Sequence, residues 1–423
     1  MPDIRAPRGM HDLLPEQEAL WRHVRDTAER VAHLFGYGLI STPLVEDASV
    51  FLRTVGDDSD IVSKEMYLFD DRGGDRLALR PEGTAAVCRA YVEHGMASRP
   101  QPVRLYYFGP MFRYDRPQAG RYRQLWQFGV ECIGDAAAAA DVEVIDLQRT
   151  LYERLGLEAL TLRINSIGTA DTRHRYIDAL REHLRPHVAT LSRDSQRRFE
   201  TNVLRVLDSK EDAGHPAVAG APSILDYLDA SDAAHFADVR TLLDGLGIAY
   251  EIDPRIVRGL DYYARTVWEF EPAGAGGQST VGAGGRYDGL IELLGGTPTP
   301  GTGMATGIER IMLNLQEAGA ISTDSLPAIY VAPLGDHLPT ALATANAIRA
   351  AGISTQVGQA GRSLRAHFRA ADSLACTHIA IIGDSEASKG VMQLKPLRGD
   401  GAQIEVTAAD LPAMLSVEAP PGK

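Results

Sequence analysis

The chain has 423 residues, 44% of them hydrophobic, and a formal net charge of -13. That length exceeds what one hydrophobic core ordinarily organises, so at least two domains are expected. No run of about 18 apolar residues occurs, and MPDIRAPRGMHDLLPEQ has no apolar stretch behind its early arginines. A membrane span and a secretory leader are therefore not indicated, and the cytoplasm is the expected location. Cys88, Cys132 and Cys376 are scattered, forming neither a disulfide framework nor a C-x-x-C knuckle, and are expected to be small buried hydrophobes. The acidity argues against a nucleic-acid partner, because such proteins usually carry a basic domain. From Pro327 onward, however, eight acidic and eight basic side chains balance, so the whole deficit lies upstream and the tail remains open to such a partner.

In chain order, Pro15 opens a segment with Leu20, Val24, Val31, Leu34 and Phe35 at helical spacing, closed by Gly36. GYGLISTPLVE reads as a strand broken by Pro43, which forfeits a ladder hydrogen bond and belongs at an edge or an interface. Pro81 is expected to start the helix PEGTAAVCRAYVEHGM. Val103 to Tyr114 and Arg121 to Ile133 are strand-like, and the polar PQAG between them suits a hairpin loop. From about Thr169 to Ala234 the pattern is polar and helical, as expected of an insertion. Strands return at RTVWEF and QSTVGAGG, and GTGMATGIERIMLNLQEAG then predicts strand, glycine turn and a helix with Ile308, Ile311, Met312 and Leu315 inward. AISTDSLP marks a boundary. Beyond it AIYVAPL, a helix around Ala341 to Ala351, STQV, a helix around Leu364 to Ala375, and HIAIIGD alternate as a small α/β domain. The expected domains are 1–320, carrying the insertion at about 169–234, and 327–423.

The chemistry concentrates on the hairpin. In RQLWQFGVEC, alternation puts Trp126, Phe128, Val130 and Cys132 on one face, and Leu125, Gln127, Gly129 and Glu131 on the other. An amide and a carboxylate flanking a glycine leave room for a small ligand above the backbone; the alternative is a plain solvent face. Arg113, Arg116, Arg121 and Arg123 surround the turn and would repel one another without an anion. Arg310 falls in the first turn of its helix, where the dipole disfavours a cation. An anionic ligand, or a salt bridge to Glu309 or to a neighbouring strand, would resolve that conflict. Glu82, after Pro81, is equally well placed as an ordinary helix cap. RGLDYYARTVWEF sets Arg258, Asp261 and two tyrosines beside a strand, and AGGRYDGL supplies glycines for close backbone approach. No G-x-x-x-x-G-K-[ST] occurs, and GTGMATG has the wrong spacing and surroundings for a dinucleotide fingerprint, so P-loop and Rossmann sites are excluded.

Taken in order, these segments resemble the three motifs of class II aminoacyl-tRNA synthetases. GYGLISTPLVE is similar to motif 1, FRYDRPQAGRYRQLWQFGVE to motif 2 and GTGMATGIER to motif 3. LRPEGT, RGLDYYARTVWEF and AGGRYDGL look like the signature peptides of the histidyl-tRNA synthetase family, and the resemblance covers nearly the whole chain. It implies an α/β protein: an α+β catalytic domain on an antiparallel sheet, a helical insertion and a C-terminal α/β anticodon-binding domain. It implies a ligase that activates L-histidine with ATP and Mg²⁺, transfers it to tRNA(His), and works as a homodimer off the membrane. By position, Arg113 and Arg258 would be catalytic, and Arg113, Arg121 and Arg310 would bind ATP. Glu82, Thr84 and Gln127 would hold the histidine ammonium group, and Glu131 and Tyr263, with Tyr262 nearby, the imidazole, with Gly83, Arg113 and Arg258 also touching histidine. Arg116, Gln118 and Arg123 would meet the tRNA acceptor end; no metal ligands are assigned.

Two non-enzymes compete. One is the inert regulatory paralogue associated with ATP phosphoribosyltransferase, which lacks the anticodon module. The other is a sensor of uncharged tRNA, a module embedded in longer kinases, and no kinase segment exists here. A class I synthetase would need the excluded Rossmann core.

Overall fold

The structure is a computed structural model and describes residues 4–54, 65–117, 120–209, 211–256, 262–272, 280–317, 328–398, 401–411 and 414. It divides into two compact units, Met1–Ile321 and Ser322–Lys423.

The first unit is built on an eight-stranded sheet. Its strands are β1 (Gly38–Leu39), β5 (Val103–Phe112), β6 (Gln124–Ile133), β7 (Leu160–Ser166), β8 (Glu251–Ile252), β9 (Ala264–Pro272), β10 (Gly282–Arg286) and β11 (Gly301–Gly307), in the order β1-β5-β6-β11-β10-β9-β7-β8. The interior pairings are antiparallel, and only the two-residue strands β1 and β8 join the edges in parallel. A separate three-stranded sheet holds β2 (Val45–Asp47), β3 (Tyr67–Asp70) and β4 (Arg76–Leu79). GYGLISTPLVE is thus two strands in two sheets rather than one broken strand, because the chain leaves the first ladder before Pro43.

Helices cover both faces of the large sheet. On one side lie α1 (Pro15–Leu34), α4 (Ala138–Arg154), α8 (Ala230–Gly245) and α10 (Ile308–Glu317), packed in one core with Phe128, Val130, Cys132, Trp268 and Met304. Pro15 at the first helical position fits the start of α1, and Leu20, Val24, Ala28 and Val31 face inward at helical spacing. Leu34 differs from expectation: although it follows Val31 at helical spacing, in the last turn of α1, it is 63% exposed. The short α2 (Ala48–Leu52) packs on the small sheet.

On the other face a second core joins α3 (Thr84–Glu93), α9 (Leu290–Leu293) and helices of the inserted region, α5 (Ala170–Leu184), α6 (Arg193–Thr201) and α7 (Pro216–Ala219). The insertion reads as polar and helical, yet Tyr176, Leu180, Leu184, Phe199 and Val206 are buried in this core. Sparse apolar residues spread over several short helices still meet when the helices fold together. Pro81 does not begin α3. Gly83 is its N-cap, and Glu82 just before it accepts the N–H groups of Thr84 (2.6 Å) and Ala85 (2.9 Å).

Arg286, fully buried at the end of β10, clamps the two layers. It pairs with buried Asp141 of α4 at 2.8 Å and donates to the carbonyls of Asp135 and Ala137. Asp141 also binds His235 of α8 at 2.7 Å. Burial alone would raise the Asp141 carboxyl, but His235 and Arg286 hold it below its usual range.

The second unit is a five-stranded sheet of β12 (Ala328–Pro333), β13 (Ser354–Val357), β14 (His378–Ile382), β15 (Met392–Pro396) and β16 (Ile404–Val406), ordered β13-β12-β14-β15-β16. The first three are parallel, connected through α11 (Leu338–Ala350) and α12 (Leu364–Ser373); β15 and β16, which the sequence reading missed, add antiparallel, with α13 (Asp384–Lys389) before them. Ile329 and Val331 enter one core and Tyr330 and Ala332 the other, as expected of a sheet covered on both faces. Among the described residues no helix is long and apolar enough to cross a membrane.

Replacing Arg286 by Met leaves Asp141 as a buried carboxylate with only His235. Unfolding free energy is expected to fall by about 3–5 kcal/mol in a denaturant titration at pH 7. A loss below about 1 kcal/mol, the level of an exposed ion pair, would show that the clamp is not what joins the layers.

Candidate active site

The site lies on the β6 face opposite Phe128 and Val130. Neither face of β6 is solvent: Gln127 is 8% exposed and Glu131 is 0% exposed. Each Glu131 oxygen has a donor. Thr84 at the start of α3 donates its hydroxyl to Oε1 at 2.7 Å, and Tyr287, which follows β10, donates to Oε2 at 2.5 Å. Burial pushes the Glu131 carboxyl up to about 8; the Tyr287 and Thr84 hydrogen bonds offset part of this, and the nearby charge of Glu82 adds to it. Glu82 is also raised, again chiefly by burial, with the Ala85 and Thr84 backbone bonds opposing. Glu82 therefore caps α3, and it also lies near enough to Glu131 to act on it.

The room that a glycine at 129 leaves is not ligand space. Tyr107 stands directly across the β5–β6 ladder from Gly129, and its ring lies over it, so a Cβ at 129 would come 2.3 Å from the Tyr107 ring. A Cβ on Gly83 would also meet that ring at 2.3 Å. The tyrosine is thus wedged between the start of α3 and β6. Tyr262 and Tyr263 complete the wall: their rings are 4.9 Å apart, and Tyr262 sits edge-on to Tyr287 at 6.1 Å. The tyrosine bonded to Glu131 is Tyr287, a residue within AGGRYDGL that was not singled out. Glycines of β10 approach protein rather than ligand; a Cβ on Gly284 would lie 2.2 Å from Trp268.

At the other end are guanidinium groups. Arg113 donates its Nε to the carbonyl of Pro81 at 2.8 Å, which ties the end of β5 to the entry of α3. Arg121 lies 3.4 Å from Asp115, and the Arg123 guanidinium stacks 3.7 Å over the Tyr114 ring. Arg116 is exposed. Arg310, in the first turn of α10, donates to the carbonyls of Gly120 and Thr280. Its pKa is lowered first by burial and then by repulsion from Arg121 and Arg113, so three cations converge. A salt bridge to Glu309 does not explain it: both Glu309 oxygens accept the Trp126 N–H, at 2.9 and 3.1 Å. Burial raises the Glu309 carboxyl to about 7.

Arg258, Asp261 and Gln118 lie outside the described residues. Arg80 was missed: it is buried and donates to the carbonyls of Pro110 and Thr42, joining motif 1 to β5. Its signal was its place as the second residue of LRPEGT, directly after β4, which pattern alone does not separate from an exposed arginine.

An antiparallel sheet with arginines at its central hairpin and at the first turn of the helix after β11 defines the catalytic unit of a class II aminoacyl-tRNA synthetase. The comparisons narrow this class. A family model described as histidyl-tRNA synthetase matches residues 9–311, and one described as anticodon binding domain matches residues 328–418. The chain is 48% identical to a histidine–tRNA ligase of Dehalococcoides mccartyi, covering 94% of this chain and 96% of the relative. It is 46% identical to one from Anoxybacillus flavithermus, covering 96% of each. A crystal structure of apo S. aureus histidyl-tRNA synthetase superposes with a TM-score of 0.79 at 35% identity, covering 97% of this chain and 99% of that one. The chain belongs to the histidyl-tRNA synthetase family, and it is an enzyme of the aminoacyl-tRNA synthetase kind.

Because the Glu131 carboxyl is raised, its contribution to stability is full below about pH 4.5, the ordinary glutamate range, and is lost as pH rises towards 8. Glu131→Gln does not titrate. The melting temperature of the variant minus that of the wild type, in the absence of ligand, is expected to increase between pH 5 and pH 8 and then level off. A pH-independent difference would mean that Glu131 is ionised throughout.

Proposed function

We propose that this chain activates L-histidine with ATP, releasing pyrophosphate, and then esterifies the histidyl group to the terminal adenosine of tRNA(His). The observation that carries this reading is the polarity of one cleft: buried carboxylates Glu82 and Glu131 at one end, and Arg113, Arg121 and Arg310 at the other. A zwitterionic amino acid with a proton-donating side chain, set against a triphosphate, matches both ends. Glu82, Gly83, Thr84 and Gln127 form the ammonium end. Glu131 accepts from the imidazole, with Tyr262 and Tyr263 as wall; matched polar contacts discriminate far better than an apolar pocket.

In the first step a histidine carboxylate oxygen attacks the α-phosphorus as the bond to pyrophosphate breaks. The nucleophile is already ionised, so the protein supplies position and charge neutralisation rather than a base. Arg113 neutralises the α-phosphate, Arg310 the γ-phosphate, and Arg121 supports them; Arg258 is assigned to the reacting carboxylate by its motif. Glu269 and Glu271, on one face of β9, both accept from Thr280 beside Arg310. These hard oxygen donors suit Mg²⁺ and would hold it, where the ion supplies charge screening of the phosphates. In the second step a terminal ribose hydroxyl attacks the adenylate carbonyl and AMP leaves, with Arg116, Gln118 and Arg123 at the acceptor end. The second unit takes the anticodon end.

We also propose a cytoplasmic homodimer. Leu34, Leu39, Leu44 and Val45, in and beside motif 1, are exposed and apolar, as an interface requires. The regulatory-paralogue reading is not favoured, since the chain aligns with histidine–tRNA ligases over nearly its whole length and carries the anticodon-binding module.

ATP–pyrophosphate exchange with each amino acid supplied singly is expected to respond to histidine alone; response to another amino acid, or to none, would overturn the assignment. Arg310→Ala is expected to raise the KM for ATP roughly 10–100-fold while leaving that for histidine within about twofold, consistent with a lost charge-assisted contact. Equal changes in both would remove its phosphate role.

A further inference from the structure

Two buried polar atoms, the Tyr107 hydroxyl and Gln127 Oε1, make no well-formed hydrogen bond among the described residues; the Thr84 hydroxyl lies close to the phenol but gives its hydrogen to Glu131. Tyr107 is 4% exposed and Gln127 8% exposed, so bulk water does not readily serve them. Leaving such groups unpaired is costly, and they are rarely kept without a partner that arrives later. Tyr107 projects across Gly129, and Gln127 sits two residues along β6 on that same face. Both atoms have lone pairs to offer, and the carboxyl groups of Glu82 and Glu131 lie nearby; burial first, and then these carboxyls, push the Tyr107 hydroxyl well above its ordinary range. The phenol therefore stays neutral. A neutral hydroxyl and an amide oxygen beside carboxyl oxygens are acceptors suited to a cation with several N–H bonds.

We propose that Tyr107 is a further substrate-contacting residue, whose hydroxyl accepts one N–H of the substrate's α-ammonium group while Gln127 and Glu82 accept the other two, with Thr84, whose hydroxyl hydrogen goes to Glu131, lining the same seat. This deepens the histidine-site reading and rests on it. Three acceptors around an ammonium match its three donors. They would make the pocket require a free amine in addition to the imidazole. Tyr107 holds this position because Gly129 and Gly83 lack side chains, so the two glycines serve the ammonium seat indirectly by admitting the ring.

Tyr107→Phe keeps the ring and deletes only the hydroxyl. Calorimetric titration of wild type and variant with L-histidine, and with imidazolepropionate, which lacks the amine, separates the roles. The variant is expected to bind histidine about tenfold or more weakly, the range for a hydrogen bond to a charged group. Its affinity for imidazolepropionate and its KM for ATP should remain within about twofold of wild type, and its melting temperature should not fall. Equal weakening towards both imidazole ligands would assign the hydroxyl to the ring or to packing and overturn the proposal. Unchanged histidine affinity in the variant would do so too, leaving the histidine site intact. Wild-type protein that binds neither ligand would overturn the histidine-site reading itself, and the proposal with it.

Discussion

The catalytic unit depends on one constraint: β6 is buried on both faces, yet one face carries a carboxylate. A buried carboxylate without partners is strongly unfavourable, so its surroundings must supply donors. Glu131 receives them from two separate elements, Thr84 at the head of α3 and Tyr287 after β10. Those two bonds fix where α3 and the end of β10 approach the sheet. They also explain a neighbour: a Cβ at Gly303 on β11 would stand 2.0 Å from Glu131 Oε2. One charged side chain thus dictates the residue beside it and the placement of two elements around it.

The cleft is electrostatically unrelaxed at both ends. Burial drives the Glu131 carboxyl towards its neutral form, and burial with two neighbouring arginines works against the charge of Arg310. Compensation within the protein is partial at each end: Glu131 is held by two hydrogen bonds, and Arg310 is opposed by Arg121 and Arg113 more than it is helped by Glu269 and Asp115. Arg286, by contrast, pairs with Asp141 and donates to nearby carbonyls. A folded chain tolerates uncompensated charge where a ligand of opposite sign completes it. The contrast between the paired clamp and the unpaired cleft separates structural charge from functional charge in the same sheet.

Some of this was readable from residue order. The alternation in RQLWQFGVEC assigns Phe128, Val130 and Cys132 to the core side, and the inward Ile308, Ile311, Met312 and Leu315 follow from helical spacing; all are buried. Arg310 was recognisable because a cation in a first helical turn conflicts with the dipole. Tyr107 and Tyr287 were not recognisable. An aromatic residue in an apolar strand looks like core, and each of these is core except for its hydroxyl. Gly129 was misread for a related reason: a missing side chain shows that something approaches closely, but not what.

By itself the sequence determined most of the elements and their chemistry, though not β15 and β16, because periodicity and charge placement act over a few residues along the chain. It also determined family membership, since ordered motifs survive as strings. Only the tertiary structure decided which groups meet. Thr84, Tyr107, Glu131 and Tyr287 come from four segments, and a hydrogen bond depends on separations of a few tenths of an ångström that spacing along a chain does not encode. Which buried polar atoms are satisfied and which are left for a ligand is therefore a property of the packed sheet, not of any one strand.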